Sequence, residues 1–119
     1  MNHQGFDKYL GYKIETVNED SAILTLDIKS HHLNIHGYVH GGVYYSLSDA
    51  ASGVVTTQHG ENWVTLNSSI NYLKGVKEGQ LEVQAKLINK TRKTAIMEVN
   101  IYSNRTLLTR GTFTMYLVN

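Results

Sequence analysis

One segment of the chain carries the groups best suited to chemistry. It reads Asn34-Ile35-His36-Gly37-Tyr38-Val39-His40-Gly41-Gly42, and it precedes an amphipathic run that contains Asp49. Glycine N–H groups at the start of a helix can donate hydrogen bonds to a developing negative charge. A carboxylate on the same helix can act as a base or a nucleophile. Together these groups predict acyl-transfer chemistry at a carbonyl.

The composition limits the classes of protein to consider. A chain of 119 residues predicts one domain, residues 1–119. A formal charge of +1, with lysines and arginines spread along the chain, argues against a nucleic-acid partner. The absence of cysteine excludes disulfides, thiolate nucleophiles and cysteine-based zinc sites. No apolar run approaches about 18 residues and the first five residues lack a leader pattern, so we expect a cytoplasmic protein without a membrane segment.

Hydrophobic periodicity predicts the order β-β-α-β-β-β-β. Alternating or β-rich runs favour strands over residues 12–17, 22–28, 64–73, 81–88, 94–103 and 106–118. A short helical turn is expected over 6–10, and a long helix over about 41–58, ended near Gly60. A single long helix on one face of an antiparallel sheet is an α+β layer arrangement.

The long helix has two unlike sides. On a 100° wheel the apolar side contains Val43, Leu47, Ala50, Ala51 and Val54, and it is expected to dock on the sheet. The opposite side contains Asp49 and is expected to face away from the core; it also holds Gly42, Tyr45, Gly53 and Thr56. A glycine inside a helix costs about 1 kcal/mol, and Gly53 is tolerated best where something packs closely against it. This side therefore predicts contact with a second subunit.

The pattern Asn34-x5-His40-Gly41-Gly42-x6-Asp49 resembles that of the hot-dog-fold acyl-CoA thioesterases, in the phenylacetic-acid-degradation (PaaI-like) branch. Residues 65–73 are also similar to the strand that follows the helix in that family, and the order of elements fits over nearly the whole chain. The resemblance implies the hot-dog fold, a long antiparallel sheet wrapped around one central helix. It also implies a homodimer, or a homotetramer built from two dimers, with active sites at the dimer seam.

The resemblance assigns roles to five residues. The Gly41 N–H would stabilise the oxyanion formed from the thioester carbonyl, and Asp49 would be the general base for water or the nucleophile that forms an anhydride. Asn34 would come from the other subunit and hold the water or the thioester. Thr65 would orient water, and His40 would shape the loop and position the carbonyl. Coenzyme A would be part of the substrate, so no separate cofactor is implied.

The phosphates of coenzyme A require basic side chains near the entrance. The candidates are Lys74, Lys90 and Arg92 first, with Lys93, Arg105 and Arg110 behind them; each lies near a turn or a strand end.

Structural roles compete with each of these assignments. Asp49 could be a solvated helix residue, the glycine pair could serve only a tight helix entry, Asn34 could form a turn and Thr65 could be ordinary strand content. His31, His32, His36 and His40 suggest a metal site, but the loop has no carboxylate to complete a ligand set, and we expect no metal.

Two alternative functions remain open beside hydrolysis of an acyl-CoA. One is a non-catalytic acyl-CoA binder on the same fold. The other is a hot-dog hydratase or dehydratase, which would pair a catalytic histidine with a carboxylate in a different motif.

Overall fold

The computed structural model describes residues 5–119 and confirms the predicted order of elements. The elements are α1 (Gly5–Leu10), β1 (Lys13–Val17), β2 (Ser21–Asp27), a short 3-10 helix (Ser30–His32), α2 (Gly41–Thr56), β3 (Trp63–Tyr72), β4 (Gln80–Lys90), β5 (Thr94–Ser103) and β6 (Thr106–Leu117). Residues 1–4, on which the leader prediction partly rests, lie outside the described range.

All neighbouring strands are antiparallel and form one six-stranded sheet in the order β1-β2-β4-β5-β6-β3. Helix α2 packs against five of the strands, so the sheet curves around it. This is the hot-dog fold that the resemblance implied. The order leaves β1 and β3 as the two edge strands, and β3 is the one that follows the helix along the chain.

The core lies between the concave face of the sheet and α2. The predicted alternation is confirmed in β4 and β5, where the buried residues are Leu81, Val83, Ala85, Ala95, Met97, Val99 and Ile101. Each of these strands therefore buries one face, as alternating sequences do.

The buried stripe of α2 is broader than the wheel predicted. Leu47, Ala51 and Val54 are buried as expected, but Ser48 and Ser52 are also fully buried. Their hydroxyls donate to the carbonyls one turn earlier, of Tyr44 and Ser48, both at 2.9 Å. Because these hydroxyls find partners on their own helix, two polar residues can face the core without an unpaired donor.

The helix ends two residues earlier than the pattern suggested. Thr57 is the C-cap, and its N–H donates to the Gly53 carbonyl. The turn that follows contains Gly60 at φ +78°, a conformation that favours glycine. A side-chain carbon placed on Gly53 would meet nothing within 4 Å, so no part of the described chain makes the close packing that we expected there.

Strand β3 contains a bulge that reverses the direction of its side chains. Its pairing with β6 shifts between Thr65 and Asn67, so Leu66 is an extra residue without a partner. Trp63 and Thr65 face inward before the shift, and Ser68 and Ile70 face inward after it. Bulges of this kind re-aim side chains near functional sites.

No helix within residues 5–119 is long and apolar enough to cross a membrane. The same part of the chain contains no group of three or more histidine, aspartate or glutamate side chains placed to hold a metal ion.

Candidate active site

The loop that leads into α2 is built around Asn34. Its side-chain oxygen accepts the N–H groups of His36 (2.9 Å) and Tyr38 (3.1 Å). Its main-chain N–H also donates to the Tyr38 carbonyl at 2.7 Å, and Gly37 takes φ +81° at the turn. Within one chain, Asn34 therefore forms a turn of the asparagine type, which brings the chain back toward the helix start.

His40 is the N-cap of α2. Its Nδ1 accepts the Gly42 N–H at 2.8 Å, and its carbonyl accepts the Val43 N–H at 2.9 Å. An acceptor at Nδ1 places the ring proton on Nε2. The role that the geometry gives His40 is to satisfy two of the orphan donors at the helix start.

The Gly41 N–H lies at the start of the helix and is not capped by His40. Among residues 5–119, no protein acceptor meets it. Tyr72, at the end of β3, covers the helix start from one side: its hydroxyl donates to the Gly41 carbonyl at 3.2 Å. A side-chain carbon on Gly41 would lie 3.5 Å from the Tyr72 ring. This is an ordinary contact distance, so the Tyr72 ring alone does not require glycine; the unpaired Gly41 N–H is what an oxyanion site needs.

Helix α2 runs antiparallel to β3 and contacts it at three levels. Below the Gly41–Tyr72 contact, the Tyr45 hydroxyl meets Ser68 Oγ at 2.5 Å. One turn further along, the Thr65 hydroxyl donates to Asp49 Oδ1. Thr65 points at Asp49 because it lies inward on β3 immediately before the bulge.

Asp49 is half-buried, and its side of the helix faces the edge strand β3. The sequence analysis expected this side to face away from the core, and it did not foresee that Thr65 of β3 would contact Asp49. The apolar stripe and the Asp49 side meet different strands of one curved sheet, so a wheel with a single buried face was too simple. Thr65 Oγ1 also lies 3.6 Å from Met115 Sδ, which closes the inner side of the contact.

The basic candidates do not lie together in one chain. Lys74 borders a cleft of about 330 Å³ beside Gly41, Tyr44 and Tyr72. Lys90 lies over the ring of Trp63, at 5.6 Å, and Arg92 is exposed in the following turn. Trp63 begins β3 and Tyr72 ends it, so the two groups are separated by roughly 30 Å at the usual rise of a strand.

Two further residues of the region are buried. Tyr44, for which the sequence allows either a place in the wall of an acyl pocket or ordinary packing, is 3% exposed. Its hydroxyl is approached by the main chain of Val76 but makes no hydrogen bond of ordinary geometry within the described chain, and burial raises the pKa of its phenol. His32 is 2% exposed and binds the Leu10 carbonyl through Nε2 at 2.7 Å. Their burial depends on contacts with distant segments, so no local pattern in the sequence indicates it.

The separation of Gly41 and Asp49 limits what one chain can do. Asp49 follows Gly41 by eight residues of continuous helix, or about 12 Å along the axis. The two groups of one chain are therefore too far apart to act on the same carbonyl carbon. The arrangement supplies an oxyanion donor at one place and a held carboxylate at another.

Comparisons with known proteins agree with the fold. Residues 36–109 match the thioesterase superfamily. An Archaeoglobus fulgidus protein named "Putative esterase" is 35% identical over 114 residues, covering 92% of this chain and 73% of that protein. The transcription factor FapR of Geobacillus kaustophilus is 32% identical over 115 residues, covering 95% of this chain and 58% of FapR.

Solved structures share the fold at similar identity. A hypothetical thioesterase of Streptococcus pneumoniae crystallised with coenzyme A is 33% identical, with a TM-score of 0.87, covering 92% of this chain and 87% of that one. A mutant of the phenylacetic acid degradation protein PaaI of Thermus thermophilus is 28% identical, with a TM-score of 0.88, covering 93% and 96%.

Proposed function

Because the chain belongs to the thioesterase superfamily, we propose that it hydrolyses the thioester bond of an acyl-CoA to a carboxylic acid and coenzyme A. The observation that carries this proposal is the half-buried Asp49 carboxylate held by the Thr65 hydroxyl, on a helix whose first N–H is unpaired within the described chain. The coenzyme A bound to the similar S. pneumoniae protein supports the substrate class.

The roles follow from the atoms available. The Gly41 N–H donates to the thioester oxygen as negative charge develops on it. Asp49 either removes a proton from the water that attacks the carbonyl carbon, or attacks that carbon itself and forms an anhydride that water then opens. In both routes the C–S bond breaks, the thiolate leaves with the bonding pair, and it takes up a proton. The Thr65 hydroxyl fixes the direction of the carboxylate.

The site is completed by a second copy of the chain. Since Gly41 and Asp49 of one chain lie about 12 Å apart along the helix, the Asp49 that serves a given Gly41 belongs to another copy. Asn34 lies on the loop that leads into Gly41 and enters the site with it, opposite the Asp49 of the other copy. We therefore expect a homodimer, alone or paired into a tetramer.

The edge strand β3 supports this assembly. It is uncharged over Trp63–Tyr72, and Val64, Leu66 and Tyr72 are exposed on it. A two-fold axis at this edge pairs β3 with itself in antiparallel fashion, so the start of one β3 approaches the end of the other. Lys90 and Arg92 of one copy then approach Lys74 of the other, and together they border the path for the coenzyme A phosphates.

Steady-state hydrolysis of an acyl-CoA panel, followed by thiol release, tests the activity. Asp49→Asn should lower kcat by at least about a hundredfold and change KM little, because the carboxylate acts mainly in the transition state. Asp20→Asn, in the β1–β2 turn, is the matched control and should behave as wild type. Unchanged turnover in Asp49→Asn would remove the central assignment.

Subunit mixing tests the shared site. Asp49→Asn and Asn34→Ala should each be nearly inactive alone. Mixed after dissociation, they should regain about a quarter of wild-type activity, since half of the dimers are mixed and each mixed dimer has one intact site. No recovery in verified mixed dimers would place both residues in the site from the same copy.

The similarity to the transcription factor FapR favours a second, non-catalytic candidate, and the coenzyme A bound to the similar S. pneumoniae protein makes an acyl-CoA the ligand to test. This candidate predicts saturable binding of an acyl-CoA in calorimetry with no thiol release. The cytoplasm stays the expected location for either function, since acyl-CoAs are made and used there.

A further inference from the structure

A second cleft, on the other side of the helix start, has not been given a role by the proposed hydrolysis. It has a volume of about 250 Å³, and its walls include Phe6 and Tyr9 of α1, Leu33 of the loop, and His40, Val43 and Ser46 at the start of α2. Resting on the proposed function, we propose that this cleft holds the acyl group of the substrate and that Phe6 and Tyr9 set the size of acyl group accepted.

The position of the cleft fits this role. On the helix, Gly42, Val43 and Ser46 point to one side of the Gly41 N–H, and Tyr44 with the Lys74 cleft lies on the other. A thioester bound at Gly41 has its carbonyl carbon between the two clefts. Its two substituents must therefore leave in different directions, one into each cleft.

The chemistry of the walls decides which substituent goes where. The cleft beside Tyr44 and Tyr72 has Lys74 at its rim, which suits the phosphate-bearing arm. The cleft under α1 is lined by no lysine, arginine, aspartate or glutamate among the described residues. A ligand with phosphates would meet only the imidazoles of His31, His32 and His40 and the Ser46 hydroxyl there, with no lysine or arginine to balance its charge, whereas an apolar group would gain by leaving water.

The volume limits the acyl group. Ligand pockets for larger molecules usually span about 300–1,000 Å³, whereas an apolar cavity of about 150 Å³ holds benzene. A cleft of about 250 Å³ therefore accepts one aromatic ring with its linking carbon, or a chain of about six to eight carbons. A longer chain would have to extend past Phe6 and Tyr9 toward solvent.

Phe6 and Tyr9 form the outer wall of the cleft, and the backbone of α1 that carries them is hydrogen-bonded to the loop before α2. They are 61% and 62% exposed, so neither supports the core. The backbone of α1 is anchored instead: the Tyr9 carbonyl lies 3.0 Å from His31 Nε2, and the Leu10 carbonyl is bound by His32. Truncating the two aromatic side chains should therefore open the cleft without releasing the helix.

The test is an acyl-CoA length series with Phe6→Ala, Tyr9→Ala and Tyr9→Trp. For hexanoyl-CoA, each alanine variant should raise KM at least about fivefold, as lost apolar contacts do, with a smaller change in kcat. For acetyl-CoA, which does not reach the wall, KM should stay within about twofold. For decanoyl-CoA the alanine variants should gain relative activity, and Tyr9→Trp should lose it.

Ile88→Ala, an exposed apolar truncation on β4, is the matched control and should leave the whole series unchanged. A uniform change across all chain lengths, or none, would overturn the assignment of the cleft. If wild type hydrolyses no acyl-CoA, the proposed function fails, and calorimetric binding of the same acyl-CoAs to the same variants still tests the cleft. Equal affinities for hexanoyl-CoA in wild type and Tyr9→Ala would then refute it.

Discussion

The two edge strands of the sheet differ in length, charge and partners. Strand β1 has five residues, two of them charged, and its bulge leaves Glu15 unpaired in the ladder. Glu15 turns back into its own chain and accepts the Thr25 hydroxyl at 2.7 Å. Strand β3 has ten residues, none charged, and its bulge leaves Leu66, which is 63% exposed.

This difference indicates which of the two edge strands is suited to pairing with another chain. Short, charged edges resist pairing with other chains, whereas long, uncharged edges favour it. Strand β1 is short and charged, and Glu15 accepts a hydrogen bond from Thr25 of its own chain. Strand β3 is bonded to α2 of its own chain through Thr65, Ser68 and Tyr72, but its outer edge is long and uncharged. The candidate site thus lies beside the edge that is suited to pairing with another chain.

Leu66→Lys should prevent the β3 edge from pairing with a second copy of the chain. It should have the largest effect of the substitutions. An ammonium buried at the proposed dimer seam without a partner costs several kcal/mol, which corresponds to at least about a hundredfold weaker dimerisation. Sedimentation velocity should show monomers, and hydrolysis should fall in parallel because Gly41 and Asp49 then lack each other.

Val17→Lys places the same charge on the other edge strand, at a position that is also exposed. It should leave both sedimentation and turnover as in wild type. A Leu66→Lys protein that stays dimeric and fully active would show that the copies meet at another surface.

Thr65→Val sharpens the comparison within β3, because it keeps the shape of the side chain and removes only the hydroxyl. A hydrogen bond to a charged group is worth about 1.5–3 kcal/mol, so kcat should fall about 10–100-fold. Thr65→Ser should retain most of the rate. Thr112→Val, on the exposed face of β6, should change nothing; equal rates for Thr65→Val and wild type would leave the Asp49 contact without a catalytic role.

Much of the fold could be predicted from the sequence because most strands bury one face. Period-two alternation in β4 and β5 gave the inward residues directly, and the sharp change to helical spacing at Gly41 located α2. The phase reversal in β3 could not be read in the same way. A bulge adds one residue whose presence depends on pairing with β6, and nothing local in Thr65-Leu66-Asn67 announces it.

The site was predictable in its residue types and not in its geometry. The resemblance named Asp49 and Thr65 separately, but only the fold brings them into contact. The capping role of His40 and the turn role of Asn34 are local and could be expected from their places beside a helix start. The burial of His32 and Tyr44 depends on packing between distant segments, which periodicity does not report.

Acid tests the contact between His32 and the end of α1. Burial lowers the pKa of His32 below its usual value, neighbouring His31 and Lys29 add to this, and the Leu10 hydrogen bond opposes it. The unfolded chain therefore binds a proton more readily than the folded chain. Stability should be full above about pH 6.5, the usual histidine value, and should fall as the pH drops below it.

His32→Gln, which keeps a side-chain donor and cannot titrate, should show a flatter dependence of the unfolding free energy on pH between 7 and 5. His36→Gln, in the exposed loop, should keep the wild-type slope. Parallel curves for wild type and His32→Gln would assign the acid sensitivity to other groups and not to the anchor of α1.

Arg105→Gly should have the smallest effect and is a reference for the others. The β5–β6 turn places Asn104 and Arg105 at φ +49° and +69°, where glycine at the second position is favoured. Relief of the left-handed strain, less the added freedom of the unfolded glycine, should stabilise the protein by about 0.5–1 kcal/mol, or roughly 2–5 °C in Tm.

Arg105→Gly made in the Leu66→Lys protein measures whether the two substitutions affect the free energy of unfolding independently. Leu66 lies opposite the stretch between Thr114 and Met115, about 26 Å along β6 from the turn. At that separation the two effects on stability should add within about 0.5 kcal/mol. A larger discrepancy in denaturant titrations would mean that a change at the β3 edge alters the conformation of β6 as far as the β5–β6 turn. A defect confined to Leu66 could not change the backbone strain at Arg105.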